Sequence, residues 1–170
     1  MAWSWILLLL ATYPWLLGAD LISDTLASST VVIFVTGTCL IAPCRRLPRW
    51  QCVLFAAGAG FLFEARRPIP DGLLALSLVA ATITLSSGGP LLRSTLRRFL
   101  AATTINLGAC LVWYLGAAYA SPAPAENLLI QMFPQLLLAA LVGAASLIPI
   151  ALTQNAVMDR LGIAPPPEMT

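Results

Sequence analysis

Long apolar runs separated by short polar connections dominate this chain. The runs cover residues 2–18, 26–42, 50–63, 72–86, 99–120 and 128–153. A helix needs about 17 to 25 apolar residues to cross a hydrocarbon core of about 30 Å. The third and fourth runs are shorter than that, so they need flanking residues or a connecting loop that dips into the membrane. The pattern predicts an all-α, polytopic integral membrane protein with about six transmembrane helices and short loops.

The domain organisation follows from the same pattern. Residues 1–163 are expected to form a single transmembrane helical domain, because no polar stretch is long enough for a soluble one. Residues 164–170 contain three consecutive prolines and are too few to fold alone, so they are expected to form a flexible tail.

Charges alternate from loop to loop. All nine basic residues are arginines, and six of them fall in the second and fourth loops, namely Arg45, Arg46, Arg49, Arg93, Arg97 and Arg98. The first and fifth loops carry only the acids Asp20, Asp24 and Glu126. Because cytoplasmic loops are enriched in basic residues, the six arginines are interpreted as topology determinants that keep both termini in the cytoplasm.

Composition removes several functional classes. Apolar residues make up 59% of the chain and charged residues only 9%, whereas soluble domains carry about 25% charged residues. A net charge of +2 provides no basic face for nucleic acid, and the absence of histidine removes the most common metal ligand. No GxSxG or HExxH motif is present and the carboxylates are scattered. We therefore expect no enzymatic activity, no metal and no cofactor.

The third loop, between the two shortest runs, is the most polar part of the chain. Charges at bilayer depth cost about 2.5 to 3.5 kcal/mol each, so they should be paired or bound to a partner. This reasoning makes the loop a candidate partner-binding surface, formed by Glu64, Arg66, Arg67, Asp71 and Gly72. The alternative is a solvated hairpin whose four charges neutralise one another.

Three amide side chains lie inside the fifth and sixth apolar runs. They are Asn106 in the fifth run and Gln131 and Gln135, one helical turn apart, in the sixth. An amide in lipid most simply forms a hydrogen bond with a neighbouring helix, which contributes about 1 kcal/mol. Interhelical polar contact is therefore the expected role, and contact with a substrate is the alternative.

The stretch Gly60-Phe61-Leu62-Phe63-Glu64, followed by Asp71-Gly72-Leu73-Leu74-Ala75-Leu76, resembles the bacterial rod-shape-determining protein MreD family. In that family an apolar helix with a glycine ends at an acidic residue, and a glycine opens the next helix after a short loop. Glu64 stands where an aspartate is usual, and the Arg66-Arg67 pair is not typical. The run 147–152 and the exit at Met158-Asp159-Arg160-Leu161 also resemble the last helix of the family.

The resemblance implies a non-enzymatic scaffold subunit in the bacterial inner membrane that acts in cell-shape maintenance and cell-wall elongation. It implies contacts with other membrane proteins, first the bitopic protein MreC and, through it, the peptidoglycan synthase and the MreB filaments. Two alternatives remain open from the residues alone. One is the substrate-binding membrane subunit of a vitamin or metal importer, and the other is a structural subunit of a larger membrane complex.

Overall fold

The computed structural model describes residues 3–26, 32–65, 70–87, 92, 94–120 and 125–164, with residues 120 and 125–131 described by their backbone alone. Its six helices are α1 (Ser4–Thr25), α2 (Thr36–Arg46), α3 (Arg49–Glu64), α4 (Leu73–Ser87), α5 (Thr95–Ala120) and α6 (Ala125–Arg160). No strand occurs within these ranges. The all-α class is therefore confirmed, while most of the proline-rich tail lies outside the described residues.

The number of full-length spans is smaller than the sequence predicts. Within the described part of the chain, three helical segments are long and apolar enough to cross a membrane, namely Ser4–Thr25, Thr95–Tyr119 and Met132–Arg160. In contrast, α2, α3 and α4 have 11, 16 and 15 residues. At 1.5 Å per residue they cover about 16 to 24 Å, less than a hydrocarbon core of about 30 Å. By length and composition, the prediction of six spans is therefore reduced to three.

The second predicted span, residues 26–42, differs most from the observed helix, which covers Thr36–Arg46. Residues 32–35 are not helical, and α2 begins only at Thr36 and continues through Pro43 to Arg46. The amide of Val32 donates to Gln135 Oε1 at 3.2 Å, and that of Ile33 donates to Ser23 Oγ at 2.9 Å. Side chains of α6 and α1 thus take the hydrogen bonds that a longer α2 would make, so a non-helical segment is tolerated inside the bundle.

The ends of α3 and α4 lie close to the predicted limits. Helix α6 (Ala125–Arg160) extends beyond the predicted run 128–153 at both ends, so Glu126 lies in its first turn and not in a loop. Helix α1 is also longer than predicted. This helix continues to Thr25, so Asp20 and Asp24 lie on its last two turns and not in a loop. Asp20 is buried in the bundle, whereas Asp24 is exposed. The acidic end of α1 therefore belongs to the helix because its apolar pattern continues through Leu21 and Ile22.

The short helix α2 occupies the centre of the bundle. It packs against α3, α4, α5 and α6, while α1 closes the bundle by packing on α3 and α6. Every residue from Thr36 to Pro43 is buried. Polar side chains such as Thr12, Asn106 and Gln154 are also buried, whereas large apolar side chains are exposed along the outer face of α6 at Phe133, Leu137, Leu141, Ile148 and Leu152. This apolar exterior around a polar-containing interior is typical of helices that pack within lipid.

Candidate functional site

The charged residue at the end of α3 binds the beginning of α4. Glu64 is only 3% exposed, and its carboxyl oxygens accept three backbone hydrogen bonds. Gly72 donates to Oε2 at 2.8 Å, while Leu74 and Ala75 donate to Oε1, the latter at 3.2 Å. The amide of Leu73 donates to the carbonyl of Pro70 at 3.3 Å. Because the first amides of a helix have no partner within it, these four bonds satisfy the N-terminus of α4.

Two glycines make this arrangement possible. A Cβ at Gly60 would lie 2.4 Å from Ala75 Cα, so the backbones of α3 and α4 touch at this point. Gly72 has φ of +86°, a left-handed conformation that side chains disfavour. Glu64 follows Gly60 by four residues and therefore lies on the same face of α3, toward α4. These three residues define a structural unit, here called the α3–α4 hairpin.

The other end of the α3–α4 hairpin is joined in a similar way. Arg49, the first residue of α3, donates from Nη2 to the carbonyl oxygen of Ser86 at 3.1 Å. This carbonyl lies in the last turn of α4, where the helix dipole is negative. Helix α4 is therefore capped by an acid at its N-terminus and by a base at its C-terminus, and both come from α3.

The candidate partner-binding residues separate into different environments. Glu64 is buried and its carboxyl group accepts backbone hydrogen bonds, so this group is not solvated. Asp71 is exposed and Gly72 is half-buried, whereas Arg66 and Arg67 lie outside the described residues. Of the charged candidates, Asp71 is thus the one seen on the surface.

The buried amides contact the central helix and the segment before it. Asn106 Oδ1 accepts from the amide of Gly37 at 2.6 Å, and Gln135 Oε1 accepts from Val32. A Cβ at Gly37 would lie 2.4 Å from the carbonyl oxygen of Ala102, which explains the close approach of α2 to α5. Asn106 thus bonds to a neighbouring helix, whereas Gln135 bonds to the non-helical segment before α2. The side chain of Gln131 lies outside the described part of the chain.

Sequence reasoning missed another amide, that of Gln154, which is completely buried. Its Nε2 donates to the carbonyl oxygen of Cys39 at 2.9 Å and to Thr12 Oγ1 at 3.0 Å. Pro43 has no amide to bond the carbonyl four residues earlier, which is that of Cys39. Gln154 therefore supplies the hydrogen bond that Pro43 removes from α2, and in doing so joins α1, α2 and α6. A proline within an apolar run was the available signal that an amide elsewhere would be needed.

Arg46 joins the C-terminal ends of α2 and α6. Its side chain is 6% exposed, and Nη2 lies 2.6 Å from Asp159 Oδ1, whose side chain is 64% exposed. Nη2 also donates to the carbonyl of Ile163, and Nη1 donates to Asn155 Oδ1 at 3.4 Å. Arg46, a predicted topology determinant, therefore also holds the end of α2 against the end of α6.

The remaining predicted topology determinants have mixed environments. Arg98 donates from Nε to the carbonyl oxygen of Leu92 at 2.9 Å, which holds the chain just before α5. Arg45 is half-buried and Arg97 is exposed, while Arg93 lies outside the described residues. Because Arg46 meets the end of α6 and Arg49 meets the end of α4, these arginines gather at one end of the bundle.

The arrangement suits helix packing more than chemistry. Among the described residues, no group of three or more His, Cys, Asp or Glu side chains could hold a metal ion. The four cysteines are free thiols, and three of them are buried. Comparisons with family models, with curated proteins and with solved structures found no match. Any function must therefore be argued from the helices, their caps and the exposed surface.

Proposed function

We propose that this chain is a non-enzymatic scaffold subunit of the bacterial inner membrane, similar to MreD, that acts in cell-wall elongation. It spans the membrane with both termini in the cytoplasm and works by contacts with other membrane proteins. The single observation that carries the proposal is the α3–α4 hairpin. The residues that carry the family resemblance, Gly60, Glu64 and Gly72, form one bonded unit, so the sequence pattern corresponds to a defined structural element.

Two further observations support a scaffold in the membrane. Three helices are long and apolar enough to cross a bilayer, and apolar side chains cover the outside of the bundle. Arginines gather at one end, as expected for the cytoplasmic side. A surface of this kind offers other membrane helices dispersion contacts but no reactive group.

Within this proposal the loop that follows Glu64 takes part in partner contact through its exposed residues. Asp71 is the member seen on the surface, beside the buried cap. An exposed charge affects partner choice by electrostatic complementarity, so reversing it should weaken a matched contact. Asp71→Arg tests this surface without removing the cap, and Glu126→Arg in the first turn of α6 is the matched charge reversal elsewhere.

Purification from the native membrane in mild detergent, followed by identification of co-purified proteins, tests the proposed function. Co-purification of a bitopic MreC-like protein is the expected result, with lower recovery by Asp71→Arg than by Glu126→Arg at equal membrane abundance. Recovery of an ATPase module would support the importer subunit instead. Recovery of redox subunits would support a structural role in a respiratory assembly.

The proposed orientation has its own test. In a background in which the four native cysteines are replaced, Arg97→Cys and Glu126→Cys place single thiols at opposite ends of the bundle. An impermeant thiol reagent should label the position 126 variant in cells whose cytoplasmic membrane is intact and the position 97 variant only after that membrane is opened. The reverse pattern would place the termini outside.

A further inference from the structure

The beginning of α2 lies inside the bundle with polar groups that have no partner. Thr36, the first residue of this 11-residue helix, is 1% exposed, and its Oγ1 has no hydrogen-bond partner among the described residues. Asn106 is completely buried and its Nδ2 likewise has none. A buried polar group without a partner is costly, so such groups in a native interior usually bind something.

The side chain of Asn106 is directed at this helix terminus. Its Oδ1 lies 2.6 Å from the amide nitrogen of Gly37, in the first turn of α2. The NH₂ group of the same planar amide is directed away from Gly37 and toward α6. Gly143 leaves room for it, since a Cβ there would lie 2.5 Å from Nδ2. The terminus of α2 and the Asn106 amide therefore form one polar centre between α2, α5 and α6.

The backbone before α2 is irregular and lies inside the bundle. Residues 32–35 are not helical, and the amides of Val32 and Ile33 are held by side chains of other helices. The N-terminus of α2 therefore lies in the bundle interior, where the helix dipole favours the negative end of a ligand. The indole Nε1 of Trp113 is a further buried donor that has no partner among the described residues, and the Trp113 ring lies 6.3 Å from that of Phe34 in this irregular segment.

We propose that the N-terminus of α2 is a binding site for a small amphiphile through its carbonyl or carboxylate oxygen. Asn106 Nδ2 and Trp113 Nε1 can only donate and the Thr36 hydroxyl can donate as well as accept, so an acceptor is the ligand atom that suits them. Arg46 lies at the opposite end of α2 with its guanidinium on α6 residues. A phosphate, which favours arginine, therefore fits less well than an oxygen with one negative charge or none. The apolar side chains of Phe34 and Val35 beside the site suit the aliphatic part of the ligand.

Binding of three eight-carbon probes to the full chain in nanodiscs tests this proposal. Octanoate and octanamide carry the acceptor oxygen with and without charge, and octylamine has the same chain without that oxygen. Native mass spectrometry should detect a saturable one-to-one adduct with octanoate or octanamide and none with octylamine. Comparison of the two adducts shows whether the site takes the carboxylate or the neutral carbonyl.

Variants distinguish this site from general partition into lipid. Thr36→Val removes the unpaired hydroxyl at nearly constant volume and should weaken the adduct about tenfold or more. Thr36→Ser keeps the donor and should retain binding. The control is Thr82→Val, because Thr82 is equally buried but its hydroxyl donates to the carbonyl of Leu78 within α4 at 2.8 Å. Equal affinities of wild type and Thr36→Val, or no saturable adduct with octanoate or octanamide on wild type, would overturn the proposal.

Discussion

Replacing Glu64 with alanine removes the acceptor for three backbone amides at the start of α4. Leu74 and Ala75 are both buried, whereas Gly72 is partly accessible. An unsatisfied buried donor costs about 1 to 3 kcal/mol, and we expect the accessible Gly72 amide to be hydrated at little cost. The two buried donors then set the loss, and we expect Glu64→Ala to lower the free energy of unfolding by about 3 to 5 kcal/mol.

Reversible unfolding in mixed micelles, titrated with dodecyl sulfate and followed by tryptophan fluorescence, measures this loss. Glu64→Gln keeps one oxygen for Leu74 and Ala75 but turns an NH₂ group toward Gly72, so a smaller loss of about 1 to 2 kcal/mol is expected. Asp71→Asn is the matched control in the same loop, because Asp71 is exposed and should change stability by less than about 0.5 kcal/mol.

The reasoning would be refuted if Glu64→Ala unfolded within about 1 kcal/mol of wild type. Such a result would mean that the carboxyl group does not hold α4 in the membrane. It would also mean that Glu64 is free to act in partner contact. If the expected loss is found, effects of Glu64 substitutions on partner recovery must first be separated from the stability of the α3–α4 hairpin.

Two further sites give independent tests of helix packing, measured by the same unfolding titration. Gly60→Ala places a methyl group 2.4 Å from Ala75 Cα and should cost about 1 to 3 kcal/mol, whereas Gly108→Ala, with nothing within 4 Å, should be neutral or stabilising. Gln154→Leu should cost about 1 to 3 kcal/mol by leaving the Cys39 carbonyl unpaired. In a Pro43→Ala background the restored amide can bond that carbonyl, so the cost of Gln154→Leu should fall by about 1 kcal/mol. If Gln154→Leu cost as much in the Pro43→Ala background as in wild type, Gln154 would not be compensating for the missing amide of Pro43.

Helix positions were predictable from the sequence where apolar periodicity and breakers agree. The limits of α3, α4 and α5 follow from runs bounded by charges or by Gly and Pro, and they differ from the observed helices by only a few residues. The break before α2 was not predictable in this way. Residues 32–35 are as apolar as a buried helix, and periodicity does not distinguish a buried helix from a buried non-helical segment.

The candidate site was predictable only in part for a similar reason. The charges around Glu64 indicated a special environment, because an acid beside an apolar helix must be compensated. The compensating groups are the backbone amides of Gly72, Leu74 and Ala75, and no sequence pattern records which backbone donors will face a side chain. Likewise, the sequence contained both Pro43 and Gln154, but only the packing of α6 against α2 brings that amide to the Cys39 carbonyl.

The capping of α4 by both ends of α3 bears on how the chain is inserted during synthesis. At the moment when α3 has been made and α4 has not, the Glu64 carboxyl has none of its backbone donors, and a lone charge at bilayer depth costs about 2.5 to 3.5 kcal/mol. A helix of 15 residues with open ends is likewise a poor substrate for insertion on its own. The two helices should therefore enter the membrane as a pair, and α3 reaches its final position only after residues 72–75 have been synthesised.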